Sequence, residues 1–452
     1  MFRKLFKEIY ARRGKLKDVA TTLLESLWFR PICWLIALCV LAAALITVDW
    51  NVAPEYWKSW FVLWKSQADG AKTMLGSIAG ATLTVVSLAF SLMMVVVIQT
   101  ANAYSPRLLQ QFIADRHNHH VLGLLMGSFA YTLIVLRSIR TEPSFVPHLA
   151  VNVALLLSIF SIIALISFIQ NVARSIQVGS IIELIEQQTL DILRHEHKHP
   201  PGERHHGEYT LRYGYTVCAN DSGYIRLFEK SLLDRLMSHP ESVVEFHHHV
   251  GDYVLKGSEL LTVWNVLDEG ARKELGDDLR EGVVQGNRRS WAHDVHYGFE
   301  QLTDIALKAL SPGINDPTTA NMTIRSLGKL YRLWFLDPFP NEIANERGEL
   351  KMLLPRDRME QMILKTFWQI AHYGHGDYTV VCCLLNFFNG ICEQLEPGPE
   401  RDLLEETLKD FVSTIDYEPW GEMQSRTVSS VARKIKAIHT PNIVMDRAGV
   451  LK

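Results

Sequence analysis

Long apolar runs fill the chain up to about residue 174 and then stop; beyond that point charged residues are dense and no run is long enough to cross a bilayer. The first run extends from about Pro31 to Val48 and closes in an aromatic and polar cluster, Trp50 through Trp64, as a helix does where it emerges into the interfacial belt. The second, Met74 to about Ile98, carries no charge and is long enough to span with some tilt. The third, Val121 to Leu136, is short for a span, and the fourth runs from about Val146 to Ile169 before Asn171 and Arg174. These runs predict four transmembrane helices within residues 31–173, preceded by a basic segment, 1–30. No small-residue cleavage site follows the first run, so it reads as a retained anchor.

The pattern changes again in the second half. From Ser175 to about Leu193, Val178, Ile181, Ile182, Ile185, Ile192 and Leu193 recur at helical spacing, which predicts an amphipathic connector continuing from the fourth span. A polar linker with His195, His197, His199, Pro200, Pro201, His205 and His206 completes the segment 174–210. Imidazoles at that density are metal ligands in principle, but no carboxylate or cysteine at a recognisable spacing completes a site, so a solvated linker is expected and no metal. Residues 211–266 alternate short β-like runs with turn glycines, as in Tyr215–Ala219, Ser222-Gly223-Tyr224-Ile225, Gly251-Asp252-Tyr253-Val254 and Leu260–Val263. A helix from Glu229 to about His239 interrupts them. Residues 267–452 carry helical periodicity in successive segments and predict a helical bundle.

The fold class expected is therefore a mainly α membrane protein, four transmembrane helices followed by a cytoplasmic α+β domain with a small β module. That module resembles the barrel-sandwich hybrid of biotinyl and lipoyl carriers, which implies a small closed barrel. Where a carrier places its modified lysine, this chain has Trp264, Asn265 and Val266, so no covalent cofactor is expected.

Charge decides orientation. Arg3, Lys4, Lys7, Arg12, Arg13, Lys15, Lys17 and Arg30 precede the first span, and such residues resist translocation, so both termini are expected in the cytoplasm of a bacterial inner-membrane protein. Arg137 and Arg140, on the outer side of the short third helix, count against that assignment. The net charge of −3 and the lack of a basic stripe with interleaved aromatics argue against nucleic acid as a partner. The six cysteines form neither a zinc spacing nor a disulfide framework.

Two patterns stand out as candidate sites. In the second span Ser77, Gly80, Thr84, Ser87 and Ser91 recur at steps of three and four, placing small and hydroxylated side chains on one face. Such a face lines a pore built from copies of the helix, or it lets helices approach closely while the hydroxyls bond back to their own backbone. No ionisable residue lies deep in any span, which argues against a proton-coupled pump. The second pattern is Ser311-Pro312-Gly313-Ile314-Asn315-Asp316-Pro317. In one reading Gly313 ends a helix, Asp316 caps the next and Pro317 takes its first position. In the other, Asn315 and Asp316 join His293, Asp294 and Asp304 in a polar pocket for an ion or small ligand.

The run Ala309–Pro317 with Asp304-Ile305-Ala306 before it, the second span leading into Ser105-Pro106-Arg107, and the turns Ser222-Gly223-Tyr224 and Gly251-Asp252 together resemble the bacterial predicted membrane proteins of domain of unknown function 2254. The resemblance implies the four-helix region with a soluble domain behind it, and no established activity. No Walker loop, nucleophile elbow, zincin motif or dinucleotide fingerprint is present, so an enzyme is not expected. The leading expectation is a homo-oligomeric channel gated by the cytoplasmic domain. The alternative is a non-conducting scaffold or sensor that recruits a cytoplasmic partner. A membrane enzyme using Asp304, Asp316 and His293 around a metal ranks below both.

Overall fold

The computed structural model describes residues 29–51, 67–103, 116–141, 145–175, 177–198, 203–204, 209–229, 232, 236, 239, 241–290, 293–336, 341–345, 347–355, 359–415 and 420–439. The chain divides into two compact units, Met1–Ser180 and Ile181–Lys452.

The N-terminal unit contains four helices long and apolar enough to cross a membrane: α1 (Phe29–Asn51), α2 (Ala68–Ala103), α3 (Arg116–Ser138) and α4 (His148–Ser175). The short third run is the inner part of a 23-residue helix. Half of its apolar window (50%) is buried within the unit, against 17%, 22% and 28% for α1, α2 and α4. A helix shielded by its neighbours can carry polar residues that lipid would not tolerate, and Asn118, His119, Ser128 and Thr132 are all buried there. Thr132 donates to the Ser128 carbonyl at 2.8 Å, and the buried Tyr131 hydroxyl donates to the carbonyl of Ala150 in α4 at 2.9 Å. Low hydropathy and a central position are thus one fact.

Two glycines set how near α3 comes to α1. A Cβ on Gly123 would lie 2.9 Å from Trp34 Cβ, and one on Gly127 would lie 2.6 Å from Leu38 Cδ1 and 3.1 Å from the Trp34 carbonyl. In hydrocarbon, where apolar surface drives no helix together, small residues four apart allow this approach and the dispersion contacts that follow. At one end of the bundle the Asp49 carboxylate of α1 accepts from the N–H groups of Leu149 and Ala150, at 3.3 and 3.1 Å, in the first turn of α4. Arg140 lies beyond the end of α3, its guanidinium 5.8 Å from the Trp50 ring centre, and it exchanges backbone hydrogen bonds with Phe145. Of the two arginines that counted against the assignment, Arg140 is thus held at the aromatic rim, clear of the apolar stretch, and Arg137 stands in the last turn of α3.

The connector is not continuous with the fourth span. α4 ends at Ser175 and α5 runs from Val178 to Lys198. Between them Gln177 N–H donates to the Arg174 carbonyl at 3.0 Å and Ser180 N–H to that of Gln177 at 3.1 Å, the three-residue spacing of helix ends. In the C-terminal unit the buried Glu186 of α5 accepts from Ser326 Oγ at 2.5 Å and Lys329 Nζ at 2.8 Å, and Thr189 packs where Gly298 has no side chain.

The expected small barrel is not closed. Strands β1 (Glu203–Arg204), β2 (Tyr215–Cys218), β3 (Gly223–Phe228), β4 (Val243–Phe246), β5 (Tyr253–Val254), β6 (Glu259–Trp264), β7 (Val283–Gly286), β8 (Glu342–Ala344) and β9 (Leu350–Leu353) form two open sheets. One has six strands in the order β1-β8-β9-β4-β6-β2, with β4 and β9 parallel, and the other has three in the order β5-β3-β7. Closure fails because the free edges of β3 and β4 are taken by strands from beyond the repeat of turn glycines: β7 adds to β3 and β9 to β4. The core between them gathers Val217, Ile225, Val244, Phe246 and Leu261 with Leu275 and Leu279 of α6 (Glu269–Glu281). The linker contributes β1; His199, Pro200, Pro201, His205 and His206 lie outside the described residues, as does most of the Glu229–His239 segment.

The rest of the unit is largely helical: α7 (Val295–Ala309), α8 (Pro317–Leu336), α9 (Met359–Ile363), a π-helical turn at Leu364–Trp368, α10 (Gln369–Gly374), α11 (Tyr378–Cys392), α12 (Pro399–Thr414) and α13 (Glu422–His439). Tyr331 explains the π turn: its buried hydroxyl donates to the Met362 carbonyl at 3.0 Å and lies 2.5 Å from Thr366 Oγ1.

The crossing of α1 and α3 predicts an asymmetry between two glycine pairs. Gly127→Val forces backbone and side-chain shifts of the kind that cost about 1–3 kcal/mol, so thermal unfolding in detergent will show a lower Tm. Gly76→Val, at a position with nothing within 4 Å, will leave the Tm of the protomer unchanged.

Candidate functional site

Each span's outward surface has its own chemistry. α1 and α4 present large apolar side chains, Ile36, Val40 and Trp50 on one and Leu156, Phe160, Ile163 and Ile166 on the other. α2 differs over most of its length: Ala71, Leu75, Ala79, Thr82, Ala89, Met93 and Val96 are buried, whereas Ser77, Gly80, Thr84, Ser87 and Ser91 are all exposed on the opposite side. At a helical step of about 100° per residue the five fall within one arc. Further along, the same face becomes apolar with Met94, Val95 and Ile98.

The hydroxyls of this face are internally satisfied. Ser77 donates to the Thr73 carbonyl at 3.0 Å, Thr84 to Gly80 at 3.0 Å, Ser87 to Leu83 at 3.0 Å and Ser91 to Ser87 at 2.9 Å. The face can therefore meet lipid, another helix or water without a desolvation penalty for an unmade bond. Gly76, absent from the sequence-derived stripe, completes it: Gly76 and Gly80 are four residues apart and neither has an atom within 4 Å of where a Cβ would stand. The spacing Gly-x-x-x-Gly occurs a second time at Gly123 and Gly127, where α1 fills it. That spacing was the signal that would have added Gly76 to the stripe.

In the C-terminal unit the Ser311–Pro317 loop joins α7 to α8 as a double cap. Ser311 Oγ donates to the Lys308 carbonyl at 2.6 Å, and Asp316 N–H donates to the Ala309 carbonyl at 2.8 Å, satisfying acceptors at the end of α7. Asp316 accepts from Thr319 N–H at 3.1 Å and Thr319 Oγ1 at 2.6 Å, and Pro317 opens α8, where its missing N–H leaves nothing unpaired. The left-handed position is Asn315 (φ 49°), a residue type that tolerates it, and Gly313 sits inside the turn closed by Ile314 N–H on the Ser311 carbonyl at 2.9 Å. The hydrogen bonds from Thr319 hold the Asp316 carboxyl below the usual aspartate range.

Two of the polar groups expected to share a pocket with this loop, His293 and Asp294, stand apart from it, while Asp304 lies in the C-terminal half of α7. Asp294 caps the start of α7 through Tyr297 N–H at 3.0 Å and is gripped by Arg289 at 2.7 and 3.0 Å; Arg289 also reaches Glu300 at 2.6 Å. Burial works against the Arg289 charge, but Asp294 and Glu300 outweigh it and hold the guanidinium above its usual range. Gly251 (φ 99°) abuts the Asp294 carboxylate, so a side chain there would displace it. Asn315 and Asp316 follow the other end of α7, whose 15 residues separate the two groups by roughly 20 Å. Among the described residues, no group of three or more His, Cys, Asp and Glu is placed to hold a metal ion.

Comparison with known proteins agrees with the architecture: the family described as predicted membrane protein, domain of unknown function 2254, matches residues 24–389. The chain belongs to that family. Among its relatives are uncharacterised proteins of Mycobacterium bovis and Mycobacterium tuberculosis, each 26% identical over 386 residues, covering 82% of this chain and 73% of theirs. No solved structure matches the chain significantly. This member of the 2254 family thus has four candidate spans followed by a mixed α/β region.

The double cap gives a test in which pH and substitution act together. Asp316→Ala will lower stability by about 1 kcal/mol at neutral pH. Because the folded-state pKa is depressed, this contribution is complete above the unfolded value of about 3.9 and disappears as pH falls through the lower folded value. Chemical denaturation of wild type and variant as a function of pH checks it: the gap between them will close only in acid.

Proposed function

We propose that this protein is a non-enzymatic, homo-oligomeric channel of the bacterial inner membrane, its conduit lined by the outward face of α2 and its opening controlled by the C-terminal unit. The observation that carries the reading is the contrast among outward surfaces. Where α1 and α4 present Ile36, Val40, Phe160 and Ile163, α2 presents Ser77, Gly80, Thr84, Ser87 and Ser91. Small residues let copies of α2 approach closely around an axis, and the hydroxyls supply acceptors to water or a partly dehydrated ion. Both termini lie in the cytoplasm, on the strength of the eight basic residues Arg3 to Arg30 ahead of α1. The bilayer is the surrounding partner, and a small ligand or ion acting on the C-terminal unit supplies the gating signal.

A second reading, a membrane-anchored scaffold or sensor, draws on a different surface. Tyr213, Tyr253, Leu255 and Leu267 are exposed around the β sheets and would suit a soluble partner.

Currents across a planar bilayer holding the purified full-length protein separate the two. The channel reading expects unitary currents in the wild type, with conductance reduced several-fold or abolished by Thr84→Leu and Ser87→Leu. Currents indifferent to both substitutions would remove α2 from the conduit. Silence across voltage and tension, with a stoichiometric soluble partner recovered from membranes, would establish the scaffold.

A further inference from the structure

The run His117-Asn118-His119-His120 opens α3 and ties it to two neighbours. His117 Nε2 lies 3.0 Å from Ser167 Oγ of α4, and Asn171 Nδ2 of α4 donates to Asn118 Oδ1 at 3.0 Å. Trp34 Nε1–H of α1 donates to His120 Nδ1 at 2.9 Å, the rings meeting edge to face with centres 6.4 Å apart. The Trp34–His120 bond sits at the tight crossing of α1 and α3, since Trp34 Cβ and Cδ1, with Pro31 Cα, exclude a side chain at Gly123.

We propose that the Trp34–His120 pair is a proton-operated tie, closed while His120 is neutral and opened when it is protonated, which loosens one end of α1 from α3. The chemistry of the two rings dictates this. An indole N–H can donate and cannot accept, so the bond exists only while His120 Nδ1 keeps its lone pair. An imidazolium carries hydrogen on both nitrogens, and a donor would then face a donor. The two ties to α4 respond differently. A serine hydroxyl can reverse its role when His117 takes a proton, and the Asn118–Asn171 pair does not titrate. One proton therefore removes the polar tie between α3 and α1 at this end, while the ties to α4 and the packing at Gly127 remain. His120 is not covered by protein and stands in the second turn of α3, close to the end of the candidate span His117–Ser138.

Among the described side chains, the charged and titratable groups at this end of the four helices are Arg30 on α1, His117 and His119 on α3 and Arg174 on α4. The described part of α2 contributes none there. The described carboxylates of the unit, Asp49 and Asp69, belong to the opposite end, so among the described residues of this unit no carboxylate is at hand to keep a protonated His120 bound.

The test uses the full-length protein in one detergent, unfolded thermally at about pH 8 and about pH 5, the range over which imidazole changes charge. His120→Gln keeps an acceptor that cannot titrate; Trp34→Phe removes the donor. The expected result is that wild type matches His120→Gln at the higher pH and loses several degrees more than either variant on acidification. Equal acid-induced losses in all three proteins would overturn the proposal. Hydrogen exchange of wild type gives the same answer if a variant does not fold. Acid should raise exchange in the 29–38 segment, corrected for intrinsic rate, relative to the α4 segment 163–172, and an unchanged ratio would overturn the tie.

Discussion

The close approach of α1 and α3 at Gly123 and Gly127 is the contact on which the membrane unit depends. Bilayer hydrocarbon removes the usual reason for apolar surfaces to associate, so helices stay together through dispersion contacts that only near-touching backbones provide. That crossing puts α3 inside the unit, and its other properties follow. Inside, it can carry Asn118, His119 and the Tyr131 hydroxyl, which would be costly against lipid, alongside the back-bonded Ser128 and Thr132. Its departing arginine is free to rest on the aromatic rim at Trp50, and the carboxylate of Asp49 is left beside the start of α4.

The C-terminal unit is organised around α7. Its start is fixed by the Arg289–Asp294 grip and the side-chain-free approach of Gly251; its end is closed by Asp316, which serves two helices at once. α5 docks on the same helices, with Thr189 over Gly298 and Glu186 on Ser326 and Lys329. The connector is thus a packed member of that unit, and a buried, partnered carboxylate makes its seating specific.

How far the sequence could be read depended on the range of the interactions involved. The four spans were legible because a bilayer demands about 20 apolar residues wherever a helix crosses. Asp316 and Pro317 were legible as a cap because capping is local. The open sheets were not: β7 joins β3, β9 joins β4 and β8 joins β1 across intervening helices, and no short-range pattern announces those pairings. The break at Gln177 was hidden because amphipathic periodicity runs through Ser175 to Leu193 whether or not the backbone does. The distance between Asp294 and Asp316 emerged only when α7 stood between them.

If α2 lines a conduit, as proposed, its small, hydroxylated arc faces water in the assembled protein. The direct measurement is the reactivity of single cysteines toward a membrane-impermeant thiol reagent, in a background with the six native cysteines replaced. Cysteines at 77, 80, 84, 87 and 91 should react, while those at 36 and 163, on the outer faces of α1 and α4, should not. Stripe positions as inert as 36 and 163 would place that face in lipid or a dry helix contact and contradict the account.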